Sequence, residues 1–298
     1  MSAATTASTL SIGIAGWDYP DWAGFVYPVR PGAGFDKLAW VSQYVDVIEI
    51  NSSFYRPIRP EVAESWVRRT ADREPFSFTA KVHRSWTHDL NSDLDSVIAP
   101  TLQGLKPLRE AGILGALLLQ FPQSFWHSQR SLDRLQRIVD PLTDWTVVVE
   151  VRHTSWENEE TLQWLSDRDI GWCLVDQPDA GPTTIGPIGH VTSSLGYARF
   201  HGRNVGNWFR SDAGRDQRYD YLYSPDELTR LTPALEEMSL QTQNMFVILN
   251  NHFQGQALAN ALQLKQMMQG GAPDAPLELV AKYPELGSYV STRPRGLF

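Results

Sequence analysis

A chain of 298 residues, 42% hydrophobic and 20% charged, has the composition of a soluble globular protein and a length suited to one α/β barrel, typically about 250 residues. Its formal net charge of −8 opposes non-specific binding to nucleic acid or anionic membrane, and no apolar run approaches the roughly 20 residues of a membrane span. The single cysteine, Cys173, excludes a disulfide framework or a thiolate metal cluster, and its place in an apolar run marks a buried thiol.

The opening residues 1–10, MSAATTASTL, lack the basic and apolar regions of a secretory signal. They read as a flexible tail before a single domain, residues 11–298, and the expected compartment is the cytoplasm. Ser11 to Ala15 forms a first strand, followed by a loop crowded with Trp17, Tyr19, Trp22, Phe25 and Tyr27. Phe35 to Tyr44 has helical spacing, and Val45 to Ile50 is a strand that delivers Glu49 and Asn51. Pro60, Glu61 and Glu64 open a helix through Arg69.

Phe76 to Lys81 alternates as a strand and sends Lys81 and His83 to one face. A helix from about Val97 to Ala111 precedes the apolar run Leu114 to Leu119, closed by Gln120. Helical spacing returns from Leu132 to Val139. Thr146 to Val151 is then a buried strand, on which alternation places Glu150 and Arg152 side by side. Glu157, Glu159 and Glu160 suit the positive end of the next helix. Gly171 to Val175 is a strand ending at Asp176, and the Gly- and Pro-rich QPDAGPTTIGPIG stands where a helix is due.

Tyr197 to Phe200 carries Arg199, His201 and Arg203 on one face. A long loop follows, in which Gly206 to Arg218 is either a lid or an interface, with Trp208 and Phe209 as exposed aromatics. Ser224-Pro225-Asp226-Glu227 is a helix N-terminus with Ser224 as cap. Met245 to Leu249 is the last strand, ending at Asn250, and a helix from Gln256 to Met268 leads to a Pro-containing tail.

Eight alternating strand and helix units without a composition break predict a single (β/α)8 TIM-type barrel with its site at the C-terminal ends of the strands. An open doubly wound sheet is the alternative, but there is no nucleotide-cofactor motif: Gly13-Ile14-Ala15-Gly16 is not a phosphate-loop fingerprint.

With the strand ends laid out, the stretches GIAGWDYPDW, FVYP, IEINSSFYR, FTAKVHRSWTH, LLLQFPQSF, VEVRHTSW, Val175-Asp176, ARFHGR and ILNNHFQGQALANALQL fall in order from Gly13 to Leu264. Together they resemble the YecE-like proteins, domain-of-unknown-function family 72. The resemblance implies a TIM-type barrel and brings no established activity. It carries less weight at Asp18-Tyr19 and Asn251-His252, where members vary.

The polar set at the strand ends is therefore the candidate site. Burying so many polar groups unpaired costs about 2–7 kcal/mol each, and more for charges. Read as scaffold, they are a ring of salt bridges pairing Glu49 with Lys81 and Glu150 with Arg152 or Arg199. Read as a site, Glu49, Glu150, Asp176 and His201 are the catalytic candidates. Trp17, Asn51, Tyr55, Lys81, His83, Gln120, Arg152, Trp156, Arg199, Arg203 and Asn250 would bind substrate.

Arginines suit a carboxylate or phosphate, so the expected partner is a small anionic molecule. The first reading is a barrel enzyme using acid/base chemistry. A variant adds a divalent metal on Glu150, Asp176 and His201 for hydrolysis or isomerisation. Alternatives are a non-catalytic barrel that binds a metabolite or docks a partner and, third, a metal-dependent phosphodiesterase or nuclease. For that last reading the aspartates between Arg203 and Arg218 dilute the basic strip.

Overall fold

The computed structural model describes residues 8–208, 210 and 214–292. Eight parallel strands, each bonded to the next and β8 to β1, form a closed barrel: β1 (Thr9–Ala15), β2 (Val47–Ile50), β3 (Ser77–Lys81), β4 (Leu114–Gln120), β5 (Val147–Glu150), β6 (Gly171–Asp176), β7 (Leu195–Phe200) and β8 (Asn244–Leu249). The apolar runs become buried strands because both faces of a parallel barrel sheet are covered. β1 begins two residues before Ser11; of the predicted tail, residues 1–7 lie outside the described ones.

The helices between strands are α1 (Lys37–Val41), α2 (Pro60–Thr70), α3 (Arg84–Thr87), α4 (Leu94–Glu110), α5 (Gln129–Val139) and α6 (Glu159–Ser166). β6 connects to β7 without a helix, as QPDAGPTTIGPIG suggests. Two short helices, α7 (Val205–Trp208) and α8 (Arg215–Arg218), interrupt the long loop after β7. The lid-or-interface question falls partly, and Phe209 wholly, outside the described residues. α9 (Pro225–Gln241) starts on the predicted cap: Ser224 Oγ accepts from Glu227 N, and the Glu227 carboxylate accepts from Ser224 N at 2.9 Å. α10 (Gln256–Gln269) follows β8, and the tail contains α11 (Leu277–Lys282), which its prolines had concealed.

Close packing fixes two glycines. At Gly115 a Cβ would stand 2.4 Å from Phe246 Cζ, so the missing side chain leaves room for that ring in the barrel base. On α4, a Cβ at Gly104 would lie 1.9 Å from the Ile58 carbonyl oxygen, backbone that cannot yield as a side-chain tip would. Gly104→Ala is therefore expected to cost about 2–3 kcal/mol in urea unfolding. A loss under about 0.5 kcal/mol, within the range of an ordinary surface change, would show that α4 does not rest on this loop.

Candidate functional site

Strand alternation decides which polar side chains meet. Register sets Glu49 beside Thr79, Gln120 beside Glu150, and Arg199 between Val175 and Ile248. The side chains of Glu49, Glu150 and Arg199 enter the barrel interior and join there. Arg199 Nη2 donates to Glu49 Oε1 at 2.7 Å, and Nη1 donates to Glu150 Oε2. Tyr197 OH donates to the second Glu49 oxygen at 3.0 Å and is 2.8 Å from Thr79 Oγ1. Arg152, two residues beyond Glu150, turns back so that Nε and Nη2 donate to Glu150 Oε1 at 3.0 and 2.9 Å.

His201 completes the cluster. Asn250 Nδ2 lies 2.9 Å from its Nδ1, and its Nε2 lies 3.3 Å from both Glu150 Oε1 and Arg152 Nη2. Glu49 and Glu150 are fully buried, and Arg199 is 2% exposed. Burial alone would raise the Glu150 carboxyl, but Arg199, Arg152 and His201 hold it well below the usual range. Burial would likewise lower Arg199, yet Glu150 and Glu49 hold it well above. Burial and then the Arg199 charge push His201 down to about 3, so the imidazole is neutral.

Over this network lies a cleft of about 100 Å³, with Lys81, Gln120, Arg152, Arg199, His201 and Asn250 on its floor. Glu49 and Glu150 are not on that floor: their oxygens are taken up below it. Two carboxylates balance two guanidiniums, which leaves Lys81 as the surplus cation of the cluster. Its Nζ sits 3.8 Å from the centre of the Phe54 ring, and among the described residues it makes no hydrogen bond or ion pair. Burial first, and then Arg199, push the amine down to about 7. His88 meets the same ring edge-on at 4.9 Å and is itself pushed down to about 4 by burial and then by Lys81.

Asn51 and Tyr55 line the cleft as expected, Tyr55 at its exposed rim. Five other expectations are corrected. Asp176 pairs in register with Phe200, whose parity is opposite to Arg199, so its carboxylate leaves the barrel on the outer side. There it accepts from Arg203 Nη2 at 2.7 Å and from Tyr223 OH. Arg203 accompanies it because Gly202, at φ 85°, breaks the alternation beyond β7. His83 caps α3, its Nδ1 accepting from Ser85 N at 3.3 Å. Trp156 is buried outside the barrel, stacked on Phe125 at 5.1 Å. Trp17 packs against Trp66 at 5.2 Å, although its edge reaches a neighbouring groove.

With Asp176 outside and Glu150 held by guanidiniums, the proposed metal set does not converge. Among the described residues no group of three or more His, Cys, Asp or Glu is placed to hold a metal.

Sequence reasoning gave little weight to Tyr19 and His252 and passed over Phe54 and Tyr219, all of which line the cleft. Tyr19 stacks on His252 at 4.4 Å and Tyr219 lies 5.1 Å from the same ring. These partners come from distant loops. Arg134 was also passed over, although an arginine beside Leu135 and Ile138 on a buried helical face is a readable signal. It is 6% exposed and donates to the carbonyls of Ser85, Trp86, Asp89 and Ser92, clamping the loop beyond Lys81.

An eight-stranded parallel barrel with a cationic cleft over the C-terminal strand ends defines an α/β protein of TIM type. A family model described as protein of unknown function DUF72 matches residues 11–281, and the chain belongs to that family. It is 27% identical over 272 residues to the UPF0759 protein YunF of Bacillus subtilis, spanning 86% of this chain and 94% of the relative. To the UPF0759 protein YecE of Escherichia coli it is 27% identical over 172 residues, 55% of this chain and 58% of that one. A crystal structure of a DUF72 family protein from Thermotoga maritima matches with TM-score 0.73 and 32% identity, covering 88% and 99% of the two chains. One from Enterococcus faecalis matches with TM-score 0.76 and 25% identity, covering 88% and 96%.

Two consequences follow for stability. Glu150→Gln leaves Arg199 and Arg152 short of charge in the interior, and a loss of about 3–5 kcal/mol is expected in denaturant unfolding; a change below about 1 kcal/mol would contradict the buried network. For Lys81, whose amine falls from 10.5 to about 7, the unfolded chain binds more protons between those values. Stability therefore rises with pH across that window, and the cost is fully present below about pH 7. Lys81→Met should raise stability at pH 7 by about 1–3 kcal/mol and flatten the rise. An unchanged slope in pH-dependent melting would show that Lys81 is not depressed.

Proposed function

We propose that this barrel is an enzyme acting on a small carboxylate- or phosphate-bearing molecule held in the cleft. One observation carries the reading: the buried carboxylates are consumed beneath the floor, so the groups facing the cleft are cations and neutral hydrogen-bonding side chains. Arg152, 14% exposed at its side chain, offers the anion a guanidinium already oriented by Glu150. Gln120, Asn51 and Asn250 surround it with amides, and Tyr55 and Tyr219 give aromatic walls.

Acid/base chemistry then falls to Lys81 rather than to Glu49 or Glu150. A group titrating near the working pH is the efficient proton carrier, and Lys81 is pushed down to about 7. The two glutamates become supports that fix the arginines. His201, neutral and held by Asn250 and Glu150, acts as a fixed hydrogen-bonding group on the floor.

Calorimetric titration with sulfate and with lactate tests the anion site. The wild type should bind both, and Arg152→Gln should weaken each by about tenfold or more, some 1.4 kcal/mol. As sulfate keeps its charge, its affinity should fall as pH rises through about 7 and Lys81 loses its proton. No binding by the wild type, or equal affinity in Arg152→Gln, would overturn the proposal.

A further inference from the structure

The geometry points to Lys81 as a covalent nucleophile that forms an imine with a small carbonyl compound carrying a carboxylate or phosphate. This rests on the cleft being an anion site, makes the proton transfers of Lys81 those of imine formation itself, and adds the identity of the reacting group in the substrate. Three features of Lys81 separate it from the anion-holding arginines. Its amine makes no hydrogen bond or ion pair among the described residues, and it lies on the cleft floor. The carboxylates near enough to keep it charged, Glu49 and Glu150, have both oxygens engaged by Arg199, Arg152, Tyr197 and His201. The Phe54 ring face, 3.8 Å from Nζ, offers no proton acceptor of carboxylate strength.

A lysine desolvated beside other cations is a standard arrangement for an amine nucleophile. Here burial and the Arg199 charge push the amine down to about 7, so a large neutral fraction exists at neutral pH. The step balances without a further reagent. The nitrogen lone pair attacks the carbonyl carbon, forming a C–N bond; the carbonyl oxygen then leaves as water with two protons from the original ammonium. One proton stays on nitrogen, so ammonium plus carbonyl gives iminium plus water. The positive charge is unchanged in place, and the ring face that meets the ammonium meets the iminium as well. Arg152 and the amides on the floor would hold the anionic group and aim the carbonyl at Nζ.

The test is reductive trapping on the whole protein. Pyruvate and dihydroxyacetone phosphate are each incubated with it and sodium borohydride, and the reduced adducts are mapped by peptide mass spectrometry. Lys81 should be modified at least about tenfold faster than the exposed, ion-paired Lys37 and Lys106. Its rate should rise to a plateau above about pH 7, the value to which the amine is pushed. Whichever compound labels faster identifies the anionic group preferred. Lactate, an anion without a ketone or aldehyde group, should protect Lys81, and Lys81→Arg should give no adduct there. Labelling no faster than at Lys37 and Lys106, or none, in a protein that still binds sulfate would overturn the imine and leave the anion site standing. Loss of sulfate binding in the wild type would overturn both.

Discussion

The arginine at the centre of the barrel is the constraint on which the site depends. Arg199 ties β7 to Glu49 on β2 and to Glu150 on β5, so one guanidinium spans three strands across the barrel interior. Barrels of this fold ordinarily fill that space with branched apolar side chains. A buried charged trio is not a cheap substitute, because removing the ions from water costs as much as, or more than, their attraction returns. Its value lies in fixing positions. With both glutamates saturated, Arg152 and His201 have defined orientations at the floor, and neither needs a ligand to become ordered.

The same saturation sets the electrostatics of the cleft. Two carboxylates offset Arg199 and Arg152, His201 stays neutral, and Lys81 supplies the remaining charge. An interior balanced before Lys81 is added makes its ammonium costly, and that is why the amine is depressed while Arg199 is not. The loops beyond β3 support this state. Arg134 clamps the segment after Lys81, and the Phe54 ring face meets the amine. Across the cleft, Asn251 and Asn260 pin the backbone of Tyr221 and Tyr223, which fixes the return of the long loop next to Tyr219.

Much of this was legible in the sequence. Eight apolar runs ending in polar residues specified the barrel, and alternation alone put Glu150 and Arg152 together. What the sequence withheld is parity at a strand's last residue. Asp176 looks like every other polar strand end, yet its register partner is Phe200, and one position of offset places it outside the barrel. Alternation also fails once the strand stops, which is how Gly202 redirects Arg203 and how His83 becomes a cap. Tyr19 and His252 were given little weight as positions where relatives vary. Their stack joins residues over two hundred positions apart, which no local pattern encodes.

Asp176 and Arg203 sharpen the distinction between a site and a scaffold. They form as good an ion pair as any in the barrel, with Tyr223 on the carboxylate and Glu227 on the guanidinium. Yet every strong valence there is met within the protein, and the cluster anchors α9 and the loop before it. Lys81 is the reverse: a cationic donor with a ring face, but no acceptor, provided for it among the described residues. Polar residues at barrel strand ends therefore do not identify chemistry by their presence. What sets Lys81 apart is that, among the described residues, its ammonium faces the cleft with no acceptor of its own.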